Sequence, residues 1–188
     1  MKKLFDELPY LENENIIIRV MVESDAEALN KLKRDKDVYR YIPTYLYEQK
    51  YEDGLEVIKR MKAECFDKKE QMLLGTFLKE SDGEKSETFC GISEFYDYSE
   101  EERCVSLGGR YMKEYWGHGI APQVVKLMTD YLFNETDVEI IKMSIMSMNS
   151  ASIKAIEKTG FKCIAREVPC DWGYEEYKPT DKWEMRKF

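Results

Sequence analysis

Trp116-Gly117-His118-Gly119-Ile120-Ala121 is the stretch of this 188-residue sequence that decides the fold. It follows a predicted strand over residues 104–111 and leads directly into an amphipathic helix pattern. Two glycines and an alanine leave the loop with little side-chain bulk, so its backbone N–H groups can converge at the positive end of the helix. A loop of this kind is suited to bind phosphate oxygens. A tight turn that merely needs small residues explains the same pattern.

The residues after the loop exclude two other phosphate-binding motifs. A dinucleotide fingerprint requires a third small residue one place beyond Ala121, where this chain has Pro122. A Walker-type loop requires Gly-Lys followed by Ser or Thr, and the sequence contains no such run. Pro122 falls in the first turn of the helix, where its missing N–H has no intrahelical partner. The loop is therefore predicted to bind a phosphate-bearing ligand without a metal-holding Ser or Thr.

A second motif, Asn149-Ser150-Ala151-Ser152, follows the apolar stretch 138–148 and begins a short helix pattern. Thr159-Gly160-Phe161 closes that helix, with Gly160 predicted to be left-handed and Phe161 to pack back against the last turn. An ordinary helix capped by Asn149 or Ser150 explains each of these residues singly. It does not explain why the two motifs occur together.

Together the motifs resemble the GNAT superfamily of acetyltransferases, and within it the branch named after the bacterial ribosomal-protein N-terminal acetyltransferases. The strong match covers residues 108–161, and weaker resemblance extends to Arg19, to residues 38–43 and to Asp181. The resemblance implies an α+β fold, a single domain over residues 1–188. In that fold a mixed, mainly antiparallel sheet is splayed around an acetyl-CoA cleft and has helices on both faces.

By this resemblance the cosubstrate is acetyl-CoA, with its pyrophosphate in the loop and its pantetheine arm in the split of the sheet. Trp116 takes a position that is Arg or Gln in other branches, and the backbone of Tyr111 is expected to meet the pantetheine. The implied cofactor-binding residues are Tyr111, Trp116, Gly117, His118, Gly119, Ile120, Ala121, Asn149 and Ser152.

The candidates for proton transfer also come from the resemblance. Many GNAT enzymes have a Tyr general acid seven residues after the motif's Asn, but this chain has Ile156 there. In the branch resembled, the hydroxyl of Ser152 is the substitute, and a helix-capping role for Ser152 stays open. The branch often has Glu two residues before Gly108, where this chain has Ser106.

Glu94 is the remaining internal carboxylate that could face the cleft, so the predicted catalytic residues are Ser152 and Glu94. A solvent-facing Glu94, with the proton lost through water, stays open. His118 is the only histidine, and we expect it to contact phosphate or solvent rather than to catalyse. A hydrolase based on His118 would need a Gly-x-Ser-x-Gly elbow, which the sequence lacks.

The amino-acid composition restricts the number of domains, the cellular location and the kinds of site that are expected. With 43% hydrophobic residues, 188 residues are expected to form one domain with a substantial core. No apolar run reaches about 18 residues, so no membrane span is expected. The first residues turn acidic too soon for a secretion signal. Five widely spaced cysteines indicate reduced thiols in a cytoplasmic protein. With one histidine and no Cys-x-x-Cys pair, no metal site is expected.

The net charge of −8 argues against a nucleic-acid partner. It favours a cationic acceptor, although acidic charge is also a common solubility device. Two aromatic clusters with scattered carboxylates suit a cationic or peptide-like acceptor, or simply cover the core. They comprise Tyr39, Tyr41, Tyr45 and Tyr47 around Pro43, and Asp171, Trp172, Tyr174 and Tyr177.

The sequence therefore predicts an N-acetyltransferase that moves an acetyl group from acetyl-CoA to a primary amine by direct attack in a ternary complex. The amine is a protein N-terminus or a small amine, and the enzyme is a monomer or a homodimer. Two alternatives stay open: a non-catalytic acyl-CoA-binding or sensing domain, and an acyltransferase of the same fold with another acyl donor or acceptor.

Hydrophobic periodicity predicts the order of the elements. Gly108-Gly109 is expected to mark a bulge or a close backbone approach. The helix after the loop is expected to bury Val124, Val125, Met128, Tyr131 and Leu132. The predicted strands are 16–22, 72–78, 89–96, 104–111, 138–148, 161–168 and 183–188. Helices are predicted from Ser24 or Asp25 to Arg34, over 51–66, directly after the loop, and from the Asn149 motif to Lys158. A polar turn is predicted around Asp82-Gly83.

Overall fold

The computed structural model of the protein describes residues 1–80 and 86–188, so the turn predicted around Asp82-Gly83 lies outside the described residues. Eight strands form one sheet in the order β1-β2-β3-β4-β5-β6-β8-β7. The strands are β1 (Leu11–Glu12), β2 (Ile16–Arg19), β3 (Gln71–Lys79), β4 (Glu87–Ser99), β5 (Cys104–Tyr111), β6 (Ile140–Met146), β7 (Lys162–Cys170) and β8 (Lys178–Arg186). The α-helices are α1 (Ala26–Arg34), α2 (Gly54–Met61), α3 (Ile120–Glu135) and α4 (Ser150–Ile156).

Every neighbouring strand pair in this sheet is antiparallel except β5 with β6, which is parallel. A parallel pair needs a crossover connection, and α3 provides it. The predicted α+β class with a mixed, mainly antiparallel sheet is confirmed.

The two parallel strands stay together for only part of their length. Residues 104–106 of β5 pair with residues 140–142 of β6, and beyond these three positions the strands have no mutual pairing. Each keeps its outer neighbour, since Tyr111 still pairs with Gly91 of β4 and Met146 with Thr180 of β8. The sheet is therefore split between the C-terminal halves of β5 and β6, as the family resemblance implies.

Helical segments cover both faces of the sheet. Adjacent residues of a strand point to opposite faces. On β4, the Phe95 ring lies 6.2 Å from the Tyr131 ring of α3. Its neighbour Glu94 points the other way, to Arg110, which also binds Glu48 in the segment between α1 and α2. The segment joining α1 to α2 and the crossover helix α3 thus lie on opposite faces.

The core lies between α3 and the sheet and continues beneath α1 and α2. All five residues predicted for the inward face of α3 are buried, and Val124 and Leu132 have no exposed surface. On the other side, Leu29 and Leu32 of α1 and Val57 of α2 are fully buried.

Local side-chain chemistry explains where the observed elements differ from the predicted ones. The second helix begins at Gly54 rather than at residue 51, because the Asp53 carboxylate caps it by accepting the Leu55 N–H at 3.0 Å. Its last predicted turn, Lys62–Phe66, is a π-helix. The Asp25 carboxylate does not cap α1 but accepts the Val22 N–H at 2.7 Å, and the strand predicted over 16–22 ends at Arg19.

The bulge considered for Gly108-Gly109 is absent, since both glycines pair regularly with β4. The glycines instead make room for side chains. A Cβ on Gly108 would lie 2.4 Å from Glu94 Oε1, and one on Gly109 would lie 2.6 Å from the Tyr111 hydroxyl.

Asp181 on β8 anchors the outer edge of the sheet. Its buried carboxylate accepts hydrogen bonds from Ser147 Oγ at 2.6 Å, from the Glu167 N–H at 3.0 Å and from Arg166 at 3.0 Å. Burial alone would raise the pKa of Asp181, but these hydrogen bonds and the charge of Arg166 outweigh it, so the pKa lies below its usual value. The stabilisation is present above the unfolded pKa, about 3.9, and is lost as pH falls through the folded pKa.

We predict that Asp181→Asn lowers the free energy of unfolding at pH 7 by about 1–3 kcal/mol, because buried donors lose a charged acceptor. Below about pH 4 the difference from the wild type should shrink, because protonation already weakens the native carboxylate. Urea unfolding between pH 7 and pH 3 measures both effects. The control Asp130→Asn, which breaks an exposed pair with Lys126, should change stability by less than about 0.5 kcal/mol. A difference for Asp181→Asn that stays constant with pH would contradict the prediction.

Candidate active site

The predicted phosphate loop lies at the end of β5, where α3 begins. Gly117 and Gly119 have φ angles of +78° and +73°, in the left-handed region that other residues rarely adopt. Nothing lies within 4 Å of where a Cβ on either glycine would sit, so the loop borders open space. Gly119 is the N-cap of α3, which has no side-chain cap. The first N–H groups of a helix have no intrahelical partner, so the loop offers free donors beside an open space.

Trp116 ties this loop to the split in the sheet. Its indole Nε1–H donates a hydrogen bond to the carbonyl oxygen of Tyr111, the last residue of β5, at 2.8 Å. The strand end and the loop are thereby held in one arrangement. His118 is exposed and is not among the residues that line the adjacent cleft. The backbone of His118 belongs to the loop, while its side chain lies outside the cleft.

A cleft of about 1530 Å³ passes through the split. This volume exceeds the 300–1,000 Å³ that is usual for pockets binding drug-sized molecules, as a long ligand requires. Its lining includes residues 107–111 of β5, residues 143–146 of β6, the loop with the start of α3, parts of α4, most of the segment 37–50, and residues 170–172. The cleft therefore joins the phosphate loop to both aromatic clusters singled out in the sequence.

Charge is unevenly distributed along this cleft. Among its lining residues between positions 116 and 158, Lys154 and Lys158 are the charged side chains, and no carboxylate occurs there. This end of the cleft suits an anionic ligand. The rest of the lining carries both signs, namely the carboxylates of Asp37, Glu64, Glu70, Glu94, Asp97 and Asp171 and the cations Arg40, Lys50, Lys68, Arg110, Lys113 and Lys182.

Asn149 and Ser152 have different roles at the start of α4. The Asn149 side chain accepts the Ser152 N–H at 3.2 Å, so Asn149 is the helix cap. The capping role left open for Ser152 is wrong. The half-buried Ser152 lines the cleft, and in the part of the chain that the structure describes its hydroxyl bonds to no protein group. Ile156, seven residues after Asn149, is buried.

Glu94 is buried and is not solvent-facing, so that alternative is wrong. It has 4% of its surface exposed and lies in the lining of the cleft. Its Oε1 accepts from Arg110 Nη1 at 2.6 Å, and its Oε2 accepts from the Gln71 amide. Across the strands it lies directly opposite Gly108, whose lack of a Cβ leaves space for the carboxylate.

Arg110 is held between two carboxylates. Its Nε and Nη2 donate to the two oxygens of Glu48 at 2.5 and 2.6 Å, while Nη1 binds Glu94. The Tyr39 hydroxyl donates to Glu48 at 2.9 Å. Burial works to lower the pKa of Arg110, but attraction to the two carboxylates outweighs it and raises the pKa well above its usual value. Arg110 is therefore a permanent cation.

Sequence reasoning did not find Arg110 or Glu48. The available signal was a lone arginine at the end of an otherwise uncharged strand, Cys104–Tyr111. Glu48 carries no comparable signal, because it lies in a charged segment where most side chains face solvent.

The two aromatic clusters are joined by backbone and hydroxyl hydrogen bonds. The Thr44 N–H donates to the Trp172 carbonyl at 2.9 Å, and the Tyr45 hydroxyl donates to the Asp171 carbonyl at 3.1 Å. The cleft is lined by Tyr41, Tyr45, Tyr47, Asp171 and Trp172, but not by Tyr39, Tyr174 or Tyr177. Trp172 is also buried. Some of these residues therefore line the cleft while Trp172 also contributes to the core, and their fit to a cationic or peptide-like acceptor stays a prediction.

The described residues lack features of a membrane-spanning helix or of a metal site. Over residues 1–80 and 86–188, no helix has the length and apolar character needed to cross a bilayer. The same ranges contain no cluster of three or more His, Cys, Asp or Glu side chains placed to hold a metal ion.

Comparison with known proteins gives a consistent family match. Residues 15–162 match the model of the acetyltransferase (GNAT) domain. The Bacillus subtilis (strain 168) protein YoaA, described as an uncharacterized N-acetyltransferase, is 23% identical over 154 residues, which cover 82% of this chain and 83% of YoaA.

Solved structures agree with this match at the level of the fold. An acetyltransferase (GNAT family) from Bacillus anthracis superposes with a TM-score of 0.77 at 20% identity, covering 95% of this chain and 98% of the other. The spermidine N-acetyltransferase from Vibrio cholerae in complex with CoA and spermine gives a TM-score of 0.72 at 16% identity, with coverages of 93% and 96%.

Proposed function

This chain belongs to the GNAT acetyltransferase family, and from that premise we propose that it transfers the acetyl group of acetyl-CoA to a cationic primary amine. The observation that carries the proposal is the cleft through the split sheet. It connects a carboxylate-free end, beside free helix N–H groups, to an end that holds a buried carboxylate cluster. An anionic cosubstrate and a cationic acceptor can thus enter from opposite ends.

The phosphate loop is suited to the CoA pyrophosphate. Gly117 and Gly119 permit left-handed backbone without strain and leave open space where side chains would stand. Donors at the start of α3 then bind phosphate oxygens, favoured by the helix dipole. Lys154 and Lys158 line the same end and add positive charge. The side chain of His118 contributes little, because it is exposed and lies outside the cleft.

The split of the sheet is suited to the pantetheine arm. Beyond their three paired positions, β5 and β6 have inner edges without a strand partner. The amides of the arm can satisfy those backbone groups as an added strand would. The Tyr111 carbonyl oxygen already accepts a hydrogen bond from the Trp116 indole. The groups of Tyr111 left for the ligand are therefore the second lone pair of that oxygen and the backbone N–H. A backbone N–H at the split can also stabilise the oxyanion.

The chemistry then follows from two side chains on either side of the split. The ammonium group loses a proton to Glu94, or to water, and the neutral nitrogen attacks the thioester carbonyl carbon. When the tetrahedral intermediate collapses, the nitrogen loses its second proton to solvent, the C–S bond breaks, and the departing thiolate takes the proton of the Ser152 hydroxyl. Ser152 regains a proton from solvent, and Glu94 releases its proton after the amide product departs.

A panel of acceptors tests this function directly. Release of free CoA thiol from acetyl-CoA is measured with spermidine, monoamines, amino acids and peptides with free N-termini. We expect release that depends on an amine and an acetylated amine of the matching mass. Binding of acetyl-CoA without transfer to any amine would instead favour the acyl-CoA-binding or sensing alternative. Faster turnover with a longer acyl-CoA or with an alcohol would favour another acyltransferase.

For the loop, we predict that Gly119→Val weakens CoA binding by at least about 2 kcal/mol, roughly thirtyfold. Valine is strained at a φ of +73°, and its side chain would fill the space proposed for phosphate. Calorimetry should show a much smaller effect on pantetheine, which lacks the pyrophosphate. The control His118→Ala should change CoA affinity by less than about 1 kcal/mol, because contacts at an exposed site are screened. Equal losses for CoA and pantetheine would contradict a phosphate cradle.

For the acid, we predict that Ser152→Ala lowers kcat by roughly 10²-fold, the low end for acid–base catalysis, while CoA affinity stays nearly unchanged. Stability should also stay close to that of the wild type, because Asn149 and not Ser152 caps α4. Steady-state kinetics and thermal unfolding measure the two effects. Asn149→Ala serves as the matched variant, since it should reduce stability by about 1 kcal/mol. Unchanged turnover in Ser152→Ala would rule out the acid role.

A further inference from the structure

The cluster of Glu48, Arg110 and Glu94 is unusual in its burial. Glu48 has no exposed surface, and Arg110 and Glu94 each have 4% exposed. Their hydrogen bonds are nearly saturated, because Arg110 uses three nitrogens on the two carboxylates while Tyr39 and Gln71 donate to the same carboxylates. Good geometry of this kind fixes every member of the cluster in place.

The same cluster carries an excess of negative charge. With both carboxylates ionised, two negative charges face the one positive charge of Arg110. A buried charge without a partner is expensive. Arg110 and Glu94 line the cleft, whereas Glu48 lies behind them. A positively charged group that enters the cleft with the substrate can therefore compensate the excess negative charge.

Among the described residues, Arg110 is the only cation that forms an ion pair with Glu48 or Glu94. Burial raises the pKa of Tyr39, Tyr96 and Tyr111, so these hydroxyls stay neutral. Lys33 of α1 is close enough to Glu48 to feel its charge. However, its ammonium group donates to the backbone carbonyls of Tyr51 and Glu52, at 2.6 and 2.9 Å.

The cluster also joins the two halves of the site mechanically. Glu48 belongs to the short helical turn Tyr47–Gln49, in the segment that lines the acceptor end of the cleft. Arg110 immediately precedes Tyr111, at which β5 ends beside the split. The bidentate Glu48–Arg110 pair therefore fastens the acceptor segment to the strand that borders the cosubstrate.

We propose that Glu48 is a positioning residue for acetyl transfer, and that the cluster it completes is the receptor for the acceptor's ammonium group. Acting through Arg110, Glu48 holds the Glu94 carboxylate at the cleft wall and gives the ion-paired cluster one more carboxylate than cation. This inference rests on the proposed function. The inference extends the proposed function by assigning recognition of the acceptor's cation to a specific buried charge.

A second arginine between two carboxylates offers a matched control for the cluster around Arg110. Arg19 is likewise held between two carboxylates, Asp25 at 2.9 Å and Glu87, but none of the three lines the cleft. Asp25→Asn therefore removes a buried carboxylate from an arginine clamp without touching the proposed receptor.

The test compares wild type, Glu48→Gln and Asp25→Asn, with spermidine and a peptide with a free N-terminal serine as probe acceptors. For Glu48→Gln we expect KM for the amine to rise about tenfold or more, because the negative charge that receives the ammonium is neutralised. The Kd for CoA should change by less than about twofold. Asp25→Asn should leave both constants unchanged, even where it lowers stability by a similar amount.

The pH profile of kcat/KM separates positioning from mere stability. Glu48→Gln removes a negative charge beside the proposed base, so the acid limb of kcat/KM should move to lower pH. Glu94→Gln, which removes the proposed base, should abolish that limb. Loss of a purely structural residue would lower the amount of active enzyme without moving the limb.

Two further measurements keep the proposal falsifiable. If Glu48→Gln does not fold, Tyr39→Phe removes only the hydroxyl bound to Glu48, and KM for the amine should rise about two- to threefold. If the wild type acetylates neither probe, the proposed function fails for both; spermidine binding measured by calorimetry then tests the cluster alone. Equal spermidine affinity in wild type and Glu48→Gln, or equal effects of Glu48→Gln and Asp25→Asn, would overturn the inference.

Discussion

The separation of β5 from β6 is the constraint on which the rest of the site depends. The two strands pair for three positions only, and beyond them each is held in place by its outer neighbour. The inner edges are thus rigid but unpaired, and unpaired backbone groups inside a protein need partners. Because β5 and β6 are parallel, the crossover helix α3 must begin at the end of β5, which places its N-terminus beside the split. The motif that begins α4 follows β6 to the same place.

Electrostatics then gives the two ends of the split different roles. Backbone donors and two lysines lie at the α3 and α4 end, where a pyrophosphate can bind. The cluster around Arg110 lies on the opposite face of the sheet, beneath the segment between α1 and α2. The thioester carbon and the acceptor nitrogen would meet between these ends. Ser152 and Glu94 line the cleft from α4 and from β4, respectively, so the proton donor and the proton acceptor need not compete for one position.

The glycine-rich turn, the fold class and the succession of most helices and strands along the chain were predictable because their signals are local, whereas the short strand β1 was missed. Two glycines in six residues, followed by an amphipathic pattern, specify the turn and the helix start without knowledge of the rest of the chain. The cap at Asn149 was foreseen for the same reason, although Ser152 could not be separated from it until the hydrogen bond was visible. What the pattern of Gly108-Gly109 meant could not be decided locally, since the first glycine makes room for Glu94, fourteen residues earlier on the neighbouring strand.

The cluster around Arg110 could not have been predicted from the sequence. Its members are 16 and 62 residues apart along the chain, so only the folded sheet and the position of the segment between α1 and α2 bring them together. Hydrophobic periodicity ranks Glu48 with dozens of other charged residues, and Glu94 was singled out without any sign of its partners. The distinction between a solvated carboxylate and a buried one is made by tertiary packing, and this is why catalytic assignments are weaker than cofactor assignments in a single sequence.

Hydrogen–deuterium exchange of the backbone amides, with and without CoA, tests the central role of the split most directly. We predict that CoA slows exchange in three segments that are distant in sequence: residues 107–111 of β5, residues 116–121 of the loop, and residues 143–149 at the end of β6. Pantetheine should protect the first and the third of these but leave the loop nearly unchanged. Protection confined to the loop, or located away from these segments, would contradict the placement of the cosubstrate in the split.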